Sequence, residues 1–165
     1  MTKHTAWLLL LALVSLASGQ DSEKSYSGHG YGHFAAGTCV RWGCGTLLSL
    51  GGGAEGFVYR GLAVGAELGY TWPSRHMHDG IYMLSANPAY HFKGAGRSRR
   101  VVPFVTGGYT GFFREGWANG FNYGGGVTWW AADHVGLRFE VRNHHAIPAV
   151  LDESLLMFRF GVSFR

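Results

Sequence analysis

The chain has 165 residues, of which 47% are hydrophobic and 15% are charged, and its formal net charge is +4 at pH 7 with the histidines neutral. This length accommodates one domain. Lysine occurs only at Lys3, Lys24 and Lys93, and this scarcity argues against a water-exposed sheet. The positive charges are mainly arginines, many at alternate positions within apolar segments, which argues against a nucleic-acid surface, where they would cluster beside exposed aromatic residues.

The N-terminal stretch has the features of a secretory signal peptide. Lys3 and His4 form a basic start, an apolar run covers 6–16, and the small residues of 17–19 suit cleavage. An uncleaved membrane anchor is the alternative, although the run is shorter than the roughly 18 residues that a spanning helix requires. We predict a signal peptide at 1–19, a flexible segment at 20–30 and the folded domain at 31–165.

The mature chain consists of short segments in which apolar side chains alternate with polar or small ones, as in β-strands. We predict the first four strands at about 31–36, 46–57, 62–70 and 81–92. Pro88 lies within the fourth strand, and we expect a bulge there because proline cannot donate to a β-ladder.

The remaining strands are predicted at about 101–114, 121–130, 135–142 and 155–165, with 143–154 as the last loop. The final strand alternates most clearly. One face is apolar and the other is polar or small: Leu156, Phe158, Phe160, Val162 and Phe164 against Met157, Arg159, Gly161, Ser163 and Arg165.

These segments predict an all-β fold, an eight-stranded antiparallel up-and-down transmembrane β-barrel over 31–165. Strands joined as sequential hairpins in even number can close into a barrel, and closure removes both sheet edges. A barrel of this size has an interior only wide enough for side chains.

The polar faces combine small residues with charges of both signs, which suits a narrow lumen in which opposite charges pair. We therefore expect the apolar faces to contact lipid; a soluble sandwich or lipocalin-like barrel is the alternative. The predicted lumen ion-pair network comprises Glu55, Glu67, Arg114, Arg138, Glu140, Arg142 and Arg159.

Aromatic residues collect where the predicted strands end, as they do at the two membrane interfaces of a transmembrane barrel. The predicted interface aromatics are Tyr70, Trp72, Phe92, Trp129 and Phe164.

Several segments together resemble the small outer-membrane β-barrel family, the OmpA/OmpX-type porin-like domains. They are GLAVGAELGYTW (61–72), VVPFVTGGYTGFFR (101–114), FNYGGGVTWW (121–130), VGLRFEVRNH (135–144) and FRFGVSFR (158–165). The resemblance implies residence in the outer membrane of a Gram-negative bacterium, contact with its lipid, and recognition of the C-terminal strand by the barrel-assembly machinery. The family usually ends on the aromatic residue itself, whereas Arg165 follows Phe164 here.

Cys39 and Cys44 are the only cysteines and lie in one predicted loop. Because the chain carries an export signal, we predict a disulfide between them in preference to two free thiols.

Three further motifs contain residue types that occur in binding sites, but we interpret them as structural or solvated residues. The run 51–56 matches G-x-G-x-x-G, but a dinucleotide site requires a helix after it, and a strand end and turn follow. His76 and His78 lie in one predicted loop and His144 and His145 in another. A zinc or copper site is conceivable there, yet solvated loop residues are the preferred interpretation.

We predict a structural or surface-interaction protein whose lumen is closed by arginine–glutamate pairs. A narrow porin-like pore for small solutes is the alternative, and an enzyme acting on outer-membrane lipid is a third interpretation. For catalysis, His144 and His145 have Glu140 nearby, but Ser154 lies in a predicted loop. We expect no catalytic residues, cofactor, metal or nucleic-acid partner; an external ligand is not identified by the sequence.

Overall fold

The computed structural model describes residues 27–40, 45–92, 100–147 and 154–165. Its strands are β1 (Gly28–Cys39), β2 (Thr46–Tyr59), β3 (Leu62–Pro73), β4 (Ile81–His91), β5 (Val101–Phe113), β6 (Trp117–Trp130), β7 (Val135–Ile147) and β8 (Ser154–Phe164), with a short 3₁₀ turn at Met77–Asp79. The predicted signal peptide, residues 20–26 of the predicted flexible segment and Cys44 lie outside the described residues.

The strands form a closed barrel in which each strand pairs with its sequence neighbours and β1 pairs with β8. All pairs are antiparallel, and the closing pair runs from Gly30 opposite Phe164 to Cys39 opposite Leu155. The predicted eight-stranded up-and-down architecture is therefore confirmed. No helix among the described residues is long and apolar enough to cross a membrane.

Both chain ends of the barrel lie at one rim, which we call the terminal end. It carries the start of β1, the end of β8 and the connections 60–61 and 131–134. The two-residue turn at 60–61 reverses the chain with positive φ at Arg60 (29°) and Gly61 (93°), the conformation that tight hairpins favour. The opposite rim, the distal end, carries 74–80 and 114–116.

Several strands are longer than the sequence pattern indicates. β1 begins at Gly28, inside the segment predicted to be flexible, and β7 continues to Ile147. Each extension pairs to its last residue with one neighbouring strand, since Gly28 lies opposite Gly56 of β2 and Ile147 opposite Asn119 of β6. Ladder formation thus extends the barrel wall beyond the residues with clear alternation.

The expected bulge at Pro88 is wrong. Pro88 lies in register opposite Val64 of β3, and the β4–β5 ladder resumes at Ala89–Thr106 in the register that it has at Ala86–Tyr109. The ladder therefore skips the proline without inserting a residue. The described register irregularity falls instead at the end of β2, between Phe57 and Tyr59.

Candidate functional site

The polar faces of the strands point into the barrel, as their combination of small residues with charges of both signs predicts. Six charged side chains of the described residues are each at most 7% exposed there: Glu55, Glu67, Arg138, Glu140, Arg142 and Arg159. Their three carboxylates and three guanidinium groups balance in formal charge. Such a balance permits burial, because an unpaired charge in a low-dielectric interior is strongly unfavourable.

Four of these residues form a closed ring of ion pairs across the lumen. Arg159 contacts Glu67 (Nη2–Oε1, 2.7 Å) and Glu140 (Nη1–Oε1, 3.2 Å). Arg142 contacts Glu67 (Nη1–Oε2, 3.3 Å) and also Glu140 through Nε. Because β3 is not adjacent to β7 or β8, Glu67 reaches both arginines through the interior.

Arg138 extends this ring toward the terminal end. Its Nε lies 3.2 Å from Glu140 Oε2, and its Nη2 lies 2.9 Å from Glu55 Oε1. The guanidinium group also lies over the rings of Phe104 (3.9 Å to the centroid) and Tyr31 (4.4 Å). The network therefore continues without a break from the middle of the barrel to the terminal end, where β1 begins and β2 ends.

Three side chains outside the predicted network join it. Tyr31 Oη donates to Glu67 Oε2 (2.9 Å), Arg159 Nη2 lies 2.7 Å from His33 Nε2, and His91 Nε2 lies 2.7 Å from Glu55 Oε2. A usable signal existed, because these residues occupy the same alternating face as the small and polar residues of β1 and β4.

A neutral polar layer lies above the ring, toward the distal end. Thr110 Oγ1 lies 2.9 Å from Ser85 Oγ, accepts from Asn122 Nδ2 (2.9 Å) and lies 3.2 Å from His144 Nδ1. His144 is 3% exposed and belongs to β7. The prediction that His144 and His145 lie in a loop is wrong, because β7 continues past Arg142 to Ile147 and carries His144 inward.

Beside the ring, little space remains between these side chains. The cavity beside the ring, lined by residues such as His33, Glu67, His144 and Arg159, has a volume of about 10 Å³. That is about the minimum volume that holds one water molecule. The described part of the lumen therefore contains packed, paired side chains around this cavity.

Arg114 is the member of the predicted lumen network that the structure places elsewhere. β5 ends at Phe113, and the Arg114 side chain is 44% exposed at the distal end, where Nη2 lies 3.5 Å from Asp79 Oδ1. It also donates to the His78 carbonyl oxygen (3.2 Å). The prediction failed because Arg114 shares the inward parity of Phe112, but the strand ends before reaching it.

The apolar faces are exposed on the outside of the barrel. Phe158 is 60% exposed, Leu50 59% and Leu68 52%. Two sets of aromatic side chains flank them. One lies near the distal end, where Tyr70 stacks on Trp72 (5.5 Å between centroids), and the other near the terminal end, where Phe92, Trp129 and Phe164 are exposed.

The other predicted features lie apart from the lumen network. Cys39 ends β1 and is 6% exposed, while its predicted partner Cys44 is outside the described residues, so the disulfide stays a prediction. Ser154 begins β8 opposite His145, and its hydroxyl group bonds to Asn143 Oδ1. The glycine-rich run 51–56 lies wholly within β2, which agrees with its interpretation as part of a strand.

No protein-family model matches the sequence, and no curated protein matches it. Solved structures do match the fold. Neisserial surface protein A (NspA) superposes with a TM-score of 0.70 at 15% identity, over 86% of this chain and 99% of that one.

Two further matches are the N-terminal β-barrel domain of Pseudomonas aeruginosa OprF and Ail, the attachment invasion locus protein of Yersinia pestis. OprF has a TM-score of 0.59 at 14% identity, over 84% of this chain and 96% of that one. Ail has a TM-score of 0.56 at 9% identity, over 85% and 99%. The chain thus has the fold of small outer-membrane β-barrels, as its sequence segments suggested.

Proposed function

We propose that this chain is a bacterial outer-membrane β-barrel with a structural or surface-interaction role and a lumen closed to solutes. The observation that carries the proposal is the ion-pair network at the centre of the barrel. Its charged side chains connect strands on opposite sides of the barrel, and the outer surface of the barrel is apolar. A barrel with this interior offers its external surface for interactions and no passage for solutes.

The apolar exterior supports residence in a membrane. Exposed aliphatic and aromatic side chains occur on every strand, including Phe34, Leu50, Leu68, Leu84, Val105, Tyr123, Val141 and Phe158. Soluble monomers rarely expose contiguous apolar patches of more than a few hundred Å². In a bilayer the same surface is favourable, and the backbone polar groups are satisfied because the barrel is closed.

The aromatic sets at both ends support the same placement. Near the distal end, Tyr70, Tyr82 and Phe113 form successive ring contacts on β3, β4 and β5, with centroids 4.8 and 5.4 Å apart. Aromatic girdles of this kind lie at the two interfaces of transmembrane barrels. We place the terminal end on the periplasmic side and the distal end outside the cell.

The distal end offers a defined surface for an external partner. Arg114 links 114–116 to 74–80 through Asp79 and the His78 carbonyl oxygen, and Tyr70 Oη donates to the Met77 carbonyl oxygen (2.7 Å). Met77 itself is 61% exposed. A surface segment held in one conformation loses less entropy on binding, which favours an interaction role.

Conductance distinguishes this proposal from a narrow porin-like pore. Purified refolded protein in a planar bilayer is expected to give no steady single-channel current, because the ring occupies the lumen. The double variant Glu67→Ala/Arg159→Ala removes two long side chains from the ring and is the positive control, with transient currents expected. Asp79→Ala, outside the lumen, should behave as the wild type. Large steady wild-type currents would establish the pore instead.

Cell fractionation tests the location, and an enzyme assay tests the third interpretation. The mature chain should fractionate with the outer membrane and require detergent for extraction. A freely soluble mature chain would contradict the membrane assignment. We propose no catalytic role, and lipid A deacylation by purified protein would overturn that part of the proposal.

A further inference from the structure

Three side chains of types that can ligate a metal ion meet inside the terminal end of the barrel. His29 comes from β1, Glu55 from β2 and His91 from β4. Glu55 Oε2 lies 2.7 Å from His91 Nε2 and 3.8 Å from His29 Nε2. One ligand atom from each of the three residues lies within 4.8 Å of the other two. All three residues are at most 6% exposed.

We propose that His29, Glu55 and His91 form a binding site for one divalent ion of the zinc class. Two imidazole nitrogens and one carboxylate oxygen are a donor set that zinc accepts, and a water molecule completes tetrahedral coordination. Imidazole-rich sites also suit copper and nickel, whereas magnesium and calcium prefer sites made only of oxygen ligands. The donor set therefore selects the class of ion.

Arg138 orients the carboxylate of this site. Its Nη2 lies 2.9 Å from Glu55 Oε1, which leaves Oε2 directed at the two imidazoles. Outer partners of this kind fix the direction of a metal ligand. Arg138 Nη1 also lies 3.4 Å from His29 Nε2. That contact gives way when an ion binds, while Arg138 keeps Glu55 and Glu140 as anionic partners.

Aromatic rings surround the three ligands. Phe104 stacks on His91 (5.4 Å between centroids), and Phe57 meets the same ring edge-on (5.1 Å). Trp130 meets His29 edge-on at 6.0 Å. An apolar shell restricts solvent access and lowers the local dielectric, which strengthens the attraction between a cation and the Glu55 carboxylate.

The site would join β1 and β2 to β4, which pairs with neither of them. β1 and β4 are separated by β2 and β3 in the barrel wall, so an ion held by His29 and His91 would connect the two sides across the lumen. His29 is the second residue of β1 and His91 the last residue of β4. The ion would therefore enter from the terminal rim and close that end of the lumen.

Other histidines serve as internal controls because the structure gives them different neighbours. His33 lies against Arg159 in the central ring. It has the burial of the proposed ligands, at 7% exposed, but it lies outside the cluster. His76 and His78 are exposed at the distal end and are the background that a metal titration must separate from the proposed site.

The test is calorimetric titration of zinc chloride into the tag-free mature chain, refolded in detergent. We expect one ion per barrel in the wild type and in His33→Gln. His29→Gln and His91→Gln should each weaken binding by more than the roughly 10–100-fold that loss of an outer-shell partner costs. The double variant His76→Gln/His78→Gln should retain the single site.

Four results would overturn the proposal: no stoichiometric zinc binding by the wild type, unchanged zinc affinity in folded His29→Gln or His91→Gln, an equal loss in His33→Gln, or loss of the site in the His76→Gln/His78→Gln protein. Each variant is first checked for folding by its unboiled gel mobility. If His29→Gln or His91→Gln does not fold, the visible absorption spectrum of cobalt(II) bound to the folded His76→Gln/His78→Gln protein tests the proposal instead. Intense visible bands of a four-coordinate ion are expected, and the weak spectrum of hydrated cobalt would overturn the site.

Discussion

Arg159 on β8 and Glu67 on β3 meet across the lumen with 2.7 Å between Nη2 and Oε1, although two strands separate them in the barrel wall. The contact between the two side chains therefore depends on closure of the barrel and not on the pairing of adjacent strands. Each partner also belongs to a second ion pair, since Arg159 contacts Glu140 and Glu67 contacts Arg142. The stability of the barrel should accordingly depend on the ring as a unit.

Glu140→Ala should destabilise the barrel strongly, because Glu140 contacts Arg138, Arg142 and Arg159. Removing one partner from a buried ion pair costs about 3–5 kcal/mol. Asp79→Ala is the control, because it removes an exposed partner of Arg114 and such pairs contribute about 0–1 kcal/mol. The free energy of unfolding in urea, followed by gel mobility, measures both, and equal losses would contradict a buried network.

A double-mutant cycle at Glu67 and Arg159 should show coupling. Each single alanine variant leaves a buried charge with fewer partners, whereas the double variant removes both charges together. We expect the double variant to lose less than the sum of the single losses, with an interaction energy of about 0.5–3 kcal/mol. Additive losses in the free energy of unfolding would show that the two side chains do not act together.

Two valines on the outer face of β7 test the membrane placement by depth. Val141 lies midway along the strand and is 43% exposed, while Val135 begins the strand and is 39% exposed. Arginine on the lipid face costs about 2–4 kcal/mol at the bilayer midplane and about 0–1 kcal/mol near an interface. Val141→Arg should therefore destabilise the barrel in lipid vesicles far more than Val135→Arg. Equal effects would argue against a bilayer centred on the barrel.

Gly126→Ala should destabilise the barrel because the inner wall has no room there. A Cβ atom at Gly126 would lie 2.8 Å from the Glu140 Cα and 2.9 Å from Phe104 Cζ. Overpacking of this kind costs about 1–3 kcal/mol. Gly30→Ala is the control, since the nearest atom to its Cβ would be the Gly53 carbonyl oxygen at 3.8 Å. An unchanged free energy of unfolding in Gly126→Ala would show that the wall yields.

The predicted disulfide is tested by alkylation. In protein isolated without reductant, Cys39 and Cys44 should not react with a thiol reagent, and both should react after reduction. Mass spectrometry counts the modified thiols. The Cys39→Ser variant should then expose one reactive thiol without reductant, because Cys44 would have lost its partner. Modification of both cysteines in the unreduced wild type would contradict the predicted disulfide.

The strand pattern could be predicted because alternation is a local property, and the inward direction of the charged residues followed from the small residues and opposite charges that share their face. Side chains alternate across a strand, so the parity of Glu55, Glu67 and Arg159 is set by their immediate neighbours. Errors occurred where a strand end was misplaced. The predicted lumenal position of Arg114 is wrong because β5 ends one residue earlier, and the predicted loop position of His144 is wrong because β7 continues to Ile147.

The sequence by itself thus determined the number of strands, their order and the polar interior. It did not determine which interior residues meet. The stagger between strands and the closure of β1 on β8 set the height of each side chain in the lumen, and neither is encoded by alternation. Only the folded barrel therefore brings His29 and His91 to the same carboxylate and seats Arg159 against Glu67.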